Sequence, residues 1–554
     1  MKISPLRPVV KEVEMLWTIA KREFLSHLQT FRFGAGLVLC IGLVSLSTFV
    51  LTKDYERRLE AYNIDVQKHK DELKNIHVWS ALQPRIDRRP EVLSIFNQGI
   101  ERKVGTTVRI YWGKVPSYTL ELDVPWGWAT SWPIREIPSY AATQGKENPY
   151  LAVFPTLDLV TVVAVVLSLL AILFAYDAVV GEKEMGTLRL ALSNPVPRDK
   201  VLLGKYIAGM ACLSIPLLLS FITALIVMEL SPAVSLKVGD FGRIGLMFLL
   251  CLVYVSAFFL LGLLFSSRTS RRSTCLALLL VCWVLFVVIV PNAGPYLAKR
   301  VYPTVSPDKV RAEKRALWGE MWEKVKKANV TQGGTYMIYL ADVNGLGRLV
   351  RYSPKETMDS DLRYYRFVEP LRIEYAEKEW RIEEARLGRL ARQMKLAKAL
   401  SSISPVTPFS SATAALAGTD IQSMDRFMKA ARRYRRQFIG YLRSKDAFNS
   451  YRFFSDDTEE DRRWVEEFWR KVYRREIKWP FSADIRQAIM ERHERDLKDP
   501  SKKLRLDDMP VFTFRPEGTA SRLERALPDL GILLLFNVAF FLGAFASFLR
   551  YDVR

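Results

Sequence analysis

Cysteine and histidine are scarce in this chain of 554 residues, which has five of the first and four of the second. Cys40, Cys212, Cys251, Cys275 and Cys282 all fall inside long apolar runs, so the polar segments between those runs carry no thiol and no disulfide framework. The histidines, His27, His69, His77 and His493, are scattered, and His493-Glu494 lacks the second histidine that a zinc-binding helix requires. There is no GxxxxGK[ST] stretch to cradle nucleotide phosphates, which excludes a P-loop ATPase. A Gly-x-Ser-x-Gly elbow is also missing, as is a cysteine with a suitable base partner, so a membrane-bound hydrolase is disfavoured.

Ionisable groups are equally rare inside the apolar runs, where only Asp177 is charged, at the edge of one run. Asp158 and Glu229 lie at run ends. A proton- or ion-coupled carrier needs such groups at membrane depth, where their cost makes them conspicuous. Energy for any transport is therefore expected from another source.

What is present is segregated apolar and charged sequence. The chain is 49% hydrophobic and 25% charged, yet its mean hydropathy is only +0.03. Six runs of roughly twenty residues are each long enough to cross about 30 Å of hydrocarbon as a helix. They cover 34–52, 159–178, 206–228, 244–265, 274–290 and 530–549. The fold class read from this pattern is an α-helical polytopic membrane protein.

Residues 1–33 form a leader. Within it, Val13, Leu16, Trp17, Ala20, Phe24 and Leu28 recur at helical spacing, with Lys11, Lys21 and Arg22 on other faces. That pattern predicts an amphipathic helix suited to a membrane surface or to a protein groove. Lys and Arg concentrate in the leader, in residues 179–205, in the short loop 266–273 and in the tail 550–554. With six spans all four lie on one side, so the positive-inside rule makes both termini cytoplasmic. The localisation expected is the bacterial or archaeal cytoplasmic membrane. The segments 53–158 and 291–529 then face outward.

The first outward segment opens with a charged helical stretch that extends the first span. Alternating β-branched and aromatic residues over 107–112 and 118–124 predict short strands, giving a mixed α/β segment. Trp126, Trp128 and Trp132 follow in a Pro-rich stretch and fit either a small core or the headgroup level. The second segment reads as mainly helical, over 309–328, 369–400, 420–451 and 457–475. Pro405 and Pro408 are expected to break helices within 401–411. This segment holds more than half of the net charge of +22. Its field would attract lipid headgroups or acidic glycans, although solvated helices of mixed charge account for it equally.

The stretch 175–210 is the most specific. Thr187 to Leu192 suggests a helix too short to stand alone in water, bounded by Gly186 and by Asn194-Pro195, and so expected to dock on something. Glu182, Glu184, Arg189 and Arg198 supply charges of both signs for a protein interface. With Gly186, Thr187, Leu188, Ser193, Pro195, Val196, Leu203, Gly204 and Lys205, this stretch resembles the loop between the second and third spans of ABC-2 type permeases, the membrane subunits of ATP-binding-cassette exporters. The family pattern is acidic residues, Gly-Thr-Leu, a small helix, a Ser-x-Pro-Val-x-Arg turn and a Leu-Gly-Lys entry into the third span.

The large insertions after the first and fifth spans are similar to one subgroup of that family, with the permease of nitrous-oxide-reductase maturation a more distant relative. SPVTPF and AGTD, within 404–420, also resemble that subgroup's insertion.

The resemblance implies a coupling loop at 179–205 made of Glu182, Glu184, Gly186, Thr187, Leu188, Arg189, Pro195, Arg198, Gly204 and Lys205. It implies a separate nucleotide-binding ATPase subunit that holds ATP and Mg, with no cofactor in this chain. A second permease subunit, identical or related, is implied too, and Ala539, Gly543 and Ser547 offer small residues for close helix approach. Membrane lipid and an extracytoplasmic protein complete the expected partners, with no nucleic acid. Export of an amphiphile, lipid-linked molecule or glycan and force transmission to an outside partner both remain open.

Overall fold

The computed structural model describes residues 6–101, 107–117, 157–188, 197–333, 337–341, 347–351, 355–478 and 481–550. Trp126, Trp128, Trp132, Arg189, Pro195 and the strand expected over 118–124 lie outside them.

Among the described residues, six helices are long and apolar enough to cross a membrane. This makes the chain a multi-pass membrane protein. Leader helix α1, Leu6–Leu28, precedes the first of them, α2, Phe31–Lys74. The others are α3, Leu159–Glu184; α4, Arg198–Glu229; α5, Val238–Arg268; and α6, Arg272–Val301. Helices α7, Pro307–Lys327, and α8, Lys355–Ser401, follow. Then come α9, Val406–Ala417; α10, Ile421–Ser444; α11, Glu459–Tyr473; and α12, Ala483–Lys498. The last spanning helix is α13, Thr519–Leu549.

Several helices outrun their apolar runs. α2 is one unbroken helix of 44 residues, about 66 Å at 1.5 Å per residue, so the charged stretch after the first run is its continuation. Thr30 caps its start, accepting a hydrogen bond from the Phe33 amide. α13 begins at Thr519 and carries Pro528 within it, before the apolar run expected from 530. α8, with 47 residues, runs alongside the end of α6, where Gly294 allows the backbone at Ala397 and Ser401 to approach.

Among the described residues, the large segments contain two small antiparallel ladders. β1, Arg85–Asp87, pairs with β2, Thr107–Arg109, which occupies the first half of the strand expected over 107–112, whereas β1 is not expected from the sequence. β3, Met337–Ala341, pairs with β4, Gly347–Arg351, a hairpin inside the segment read as mainly helical. The two large segments share one core, in which Trp79, Ile86, Val108 and Trp112 pack with Phe427, Phe438 and Phe453. α11 and α12 enclose a separate small cluster around Phe468 and Trp469.

One expectation is corrected. The break at the SSISPVTPFSS stretch is confined to the residues before Val406, and Pro408 sits in the first turn of α9. Its missing N–H is tolerated there because the first amides of a helix have no intrahelical acceptor. α9 is built of small and apolar residues, with Phe409, Ala412, Thr413 and Leu416 fully buried. It descends among the spanning helices, and Phe409 stacks on Tyr254, midway along α5, at 4.2 Å between ring centres.

Among the described residues, two spanning helices contain π-helical turns, Val163–Leu167 in α3 and Leu285–Ile289 in α6. A π turn displaces carbonyls from the regular ladder, and in an apolar surrounding each needs another donor. Tyr254 donates its hydroxyl to the Ala164 carbonyl at 2.9 Å, and Ser404, just before α9, donates to the Phe286 carbonyl. Trp283 Nε1 donates to Ser168 Oγ at 2.9 Å and joins the two helices beside their irregular turns. α9 is thus tied to both.

Candidate functional site

The candidate site lies at the end of α3, where the helix loosens after Ala175 and closes again over Val180–Glu184. A single hydroxyl holds this closure. Ser266 Oγ, near the end of α5, accepts hydrogen bonds from the amides of Val179 and Val180, both at 3.0 Å. These are first-turn amides that lack intrahelical partners. Lys183 donates to the Thr269 carbonyl at 3.4 Å and to that of Ser267, so the same short loop that ends α5 also anchors the closing turn.

The two glutamates have different surroundings. Glu182 turns inward to Lys205, with Oε1 2.7 Å from Nζ. Lys205 sits in the first part of α4, its side chain only 3% exposed, and its other partner is Glu23 of α1 at 2.9 Å. One buried ammonium therefore joins the leader helix, the end of α3 and the start of α4. Glu184 is exposed and pairs at 3.3 Å with Arg272, which opens α6 and also donates to the Gly181 carbonyl at 3.1 Å.

Beyond Glu184 the chain presents Met185, Gly186 and Thr187 to solvent, then buries Leu188 completely. Gly186 has φ +74°, a left-handed conformation that makes the reversal and that L side chains adopt at a cost. Thr187 and Leu188 are helical; the rest of the short helix expected over 187–192, with Arg189 and Pro195, lies outside the described residues.

Gly204 and Arg198 serve packing and capping. A Cβ at Gly204 would lie 2.8 Å from Ile19 Cγ2, so the absence of a side chain lets α1 lie against α4. Arg198 donates to the carbonyl of Leu549 at 2.8 Å and ties the start of α4 to the end of α13. Glu182 and Arg198 thus make internal contacts, while Glu184 and Thr187 remain on the surface.

The adjoining contacts extend the same cluster. Arg32, at the start of α2, lies 3.0 Å from Asp177 and donates to the Tyr176 hydroxyl at 2.7 Å. His27 of α1 meets the ring of Phe174 edge-on at 5.3 Å, and burial pushes its pKa below the usual value despite Glu23 and Asp177 nearby. Sequence spacing missed Glu23, Arg32, Ser266 and Arg272. Their signals were weak: one of three glutamates on the leader helix, a serine at the end of a spanning run, and cations that already served the charge-asymmetry argument.

The chain has matches among known proteins. The model of the ABC-2 family transporter protein family matches residues 17–553. The probable ABC transporter permease protein NosY of Pseudomonas aeruginosa is 36% identical over 136 residues, which are 24% of this chain and 48% of that protein. The protein of the same name from Stutzerimonas stutzeri is 32% identical over 139 residues, again 24% and 48% of the two chains. The chain spans about half the length of these curated relatives.

Proposed function

The chain belongs to the ABC-2 family of transporter proteins, and on that premise we propose that it is the permease subunit of an ATP-binding-cassette exporter. A separate nucleotide-binding subunit, holding ATP and Mg, docks on the exposed residues Glu184, Met185, Gly186 and Thr187. Its closure pushes the end of α3, and export follows from the change in how the spans pack. Both termini lie on the cytoplasmic side with that subunit, and a second permease completes the assembly.

The observation that carries this reading is the position of Lys205. A rigid connection is what converts a push on a short turn into movement of whole helices, because a buried and doubly paired charge resists separation from its partners. Lys205 binds Glu182 on the turn and Glu23 on the leader from a third helix, so the three move as one body. The π turns in α3 and α6 supply bending points along the same helices. Binding and closure do work only through a differential affinity for the two arrangements.

The small-residue stripe in α13 is partly used within the chain, since Gly543 approaches Leu264 of α5. The second permease is therefore proposed on family grounds.

A second reading is favoured by α2, whose single helix connects Arg32 beside Asp177 to His69, which pairs with Asp87 in the large segments at 2.8 Å. Such a lever suits transmission of ATP-driven force to an outside protein without passage of a solute. The test is purification of the full complex from native membranes, with ATP hydrolysis and solute flux measured in vesicles. Hydrolysis with flux supports export, and hydrolysis with a copurifying outside protein and no flux supports force transmission. Absence of any copurifying ATPase contradicts both.

A further inference from the structure

The end of α6 and the end of α8 stand side by side where the chain leaves the spanning layer on the side of the large segments. Ser401 Oγ donates to the Pro291 carbonyl at 3.3 Å, and Gln393 donates to the Tyr302 carbonyl at 2.8 Å, which sets the two helices antiparallel and level. The apolar run of α6 covers 274–290, so a hydrocarbon layer of about 30 Å ends a few residues later, near Gly294. A headgroup layer of about 5–7 Å then surrounds Tyr296, which is 77% exposed, and Leu297.

Cations cluster at and just above this level. Lys299 and Arg300 lie on α6, and Lys395 and Arg392 on α8, about 9 Å and about 13 Å beyond Ser401 along the axis. All four are exposed, and their long stems let the charges reach down to the headgroups. None of the four has an ion-pair partner among the described residues. Several arginines elsewhere in the large segments do have one, as Arg522 has in Glu91 and Arg525 in Asp420.

The local sequence explains the difference, because neither 290–307 nor 385–401 contains a single Asp or Glu. The nearby acid is Asp529 of α13, buried and already engaged by Lys398 at 2.8 Å.

Unpaired cations gathered with an exposed tyrosine at headgroup depth match the charge and the amphiphilic character of an anionic lipid surface. We infer that the paired ends of α6 and α8 form a binding site for anionic phospholipid headgroups, with Lys299, Arg300, Arg392 and Lys395 contacting phosphate and Tyr296 lying among the glycerol groups. The inference needs only the six-span arrangement and stands apart from ATP coupling.

The experiment is native mass spectrometry of the full-length chain supplied with equimolar phosphatidylglycerol and phosphatidylcholine. Preferential retention of phosphatidylglycerol is expected, with each cation worth about fivefold in affinity. The variant K299Q/R300Q/R392Q/K395Q should lose at least tenfold of that preference and keep the wild-type melting temperature, since the changed side chains are exposed. If the variant fails to fold, the wild type is read alone in low and high salt, where screening should reduce the preference.

Equal retention of both lipids by the wild type, or an unchanged preference in the folded variant, overturns the inference. A salt-insensitive preference overturns it as well. Tight binding of soluble polyglutamate by a chain that shows no lipid preference also overturns it, and assigns the cations to an acidic protein.

Discussion

Lys205 Nζ lies 2.7 Å from Glu182 Oε1, within a cluster where the lysine is almost completely buried. A lone ammonium there would be costly, and the second contact, to Glu23 at 2.9 Å, makes the site neutralising from two helices. Replacement of Lys205 by Ala leaves two carboxylates facing each other without a cation. We expect a loss of about 3 kcal/mol in stability, seen as a lower unfolding temperature in detergent, together with faster proteolysis within α1. Unchanged protease resistance of α1 would show that Lys205 does not hold it.

Glu182 and Glu184 are expected to separate cleanly. Glu184→Ala removes a pair in which both side chains are more than a third exposed, so its effect on stability is below about 1 kcal/mol. Its effect on ATP hydrolysis by the assembled complex is expected to be large. Glu182→Ala should reduce both, because it also removes a partner of Lys205. Thermal unfolding and hydrolysis measured on the same preparations distinguish the two residues.

Tyr254→Phe keeps the stack on Phe409 and removes the donor to the Ala164 carbonyl. The expected cost is about 1 kcal/mol, in the range of interhelical hydrogen bonds within membranes. Phe409→Ala removes a fully buried ring and should cost about 3–5 kcal/mol. A Tyr254→Phe variant with the stability of Phe409→Ala would mean that the hydroxyl, rather than the stack, holds α9.

The large segments have a built-in acid limit. Burial raises the pKa of Glu383, but the hydrogen bond from Arg386 and the charge of Lys314 outweigh it and bring the value down to about 2. A depressed carboxylate contributes stability that is fully present above its unfolded value, near 4.3. That contribution fades as pH falls from there toward 2. Unfolding followed between pH 5 and 2 should therefore show a stability decline that Glu383→Gln flattens, with the variant less stable at pH 7. Parallel pH profiles for the two proteins would exclude this role.

Much of the membrane architecture was legible because spanning helices need long uncharged runs, and a run such as 244–265 has no competing interpretation. The charged continuation of α2 was legible as well, from helical spacing after the run ends. Pro408 was misleading: proline breaks a helix interior but is harmless in a first turn, and only the position of the helix start separates the two cases. The β3–β4 hairpin passed unnoticed between long helical patterns. At the candidate site, residue types and order marked Glu182, Glu184 and Lys205 as a group. Which glutamate faces inward depends on Glu23, 182 residues away from Lys205 and brought near only by the Gly204 crossing.

The most direct test of the account is nucleotide hydrolysis by the purified chain, alone and then with the ATPase subunit that copurifies with it. The account predicts no hydrolysis by the chain alone, hydrolysis by the complex, and a loss of that activity in Glu184→Ala with the complex still folded. Hydrolysis by the isolated chain, or a Glu184→Ala complex with wild-type activity, would contradict it.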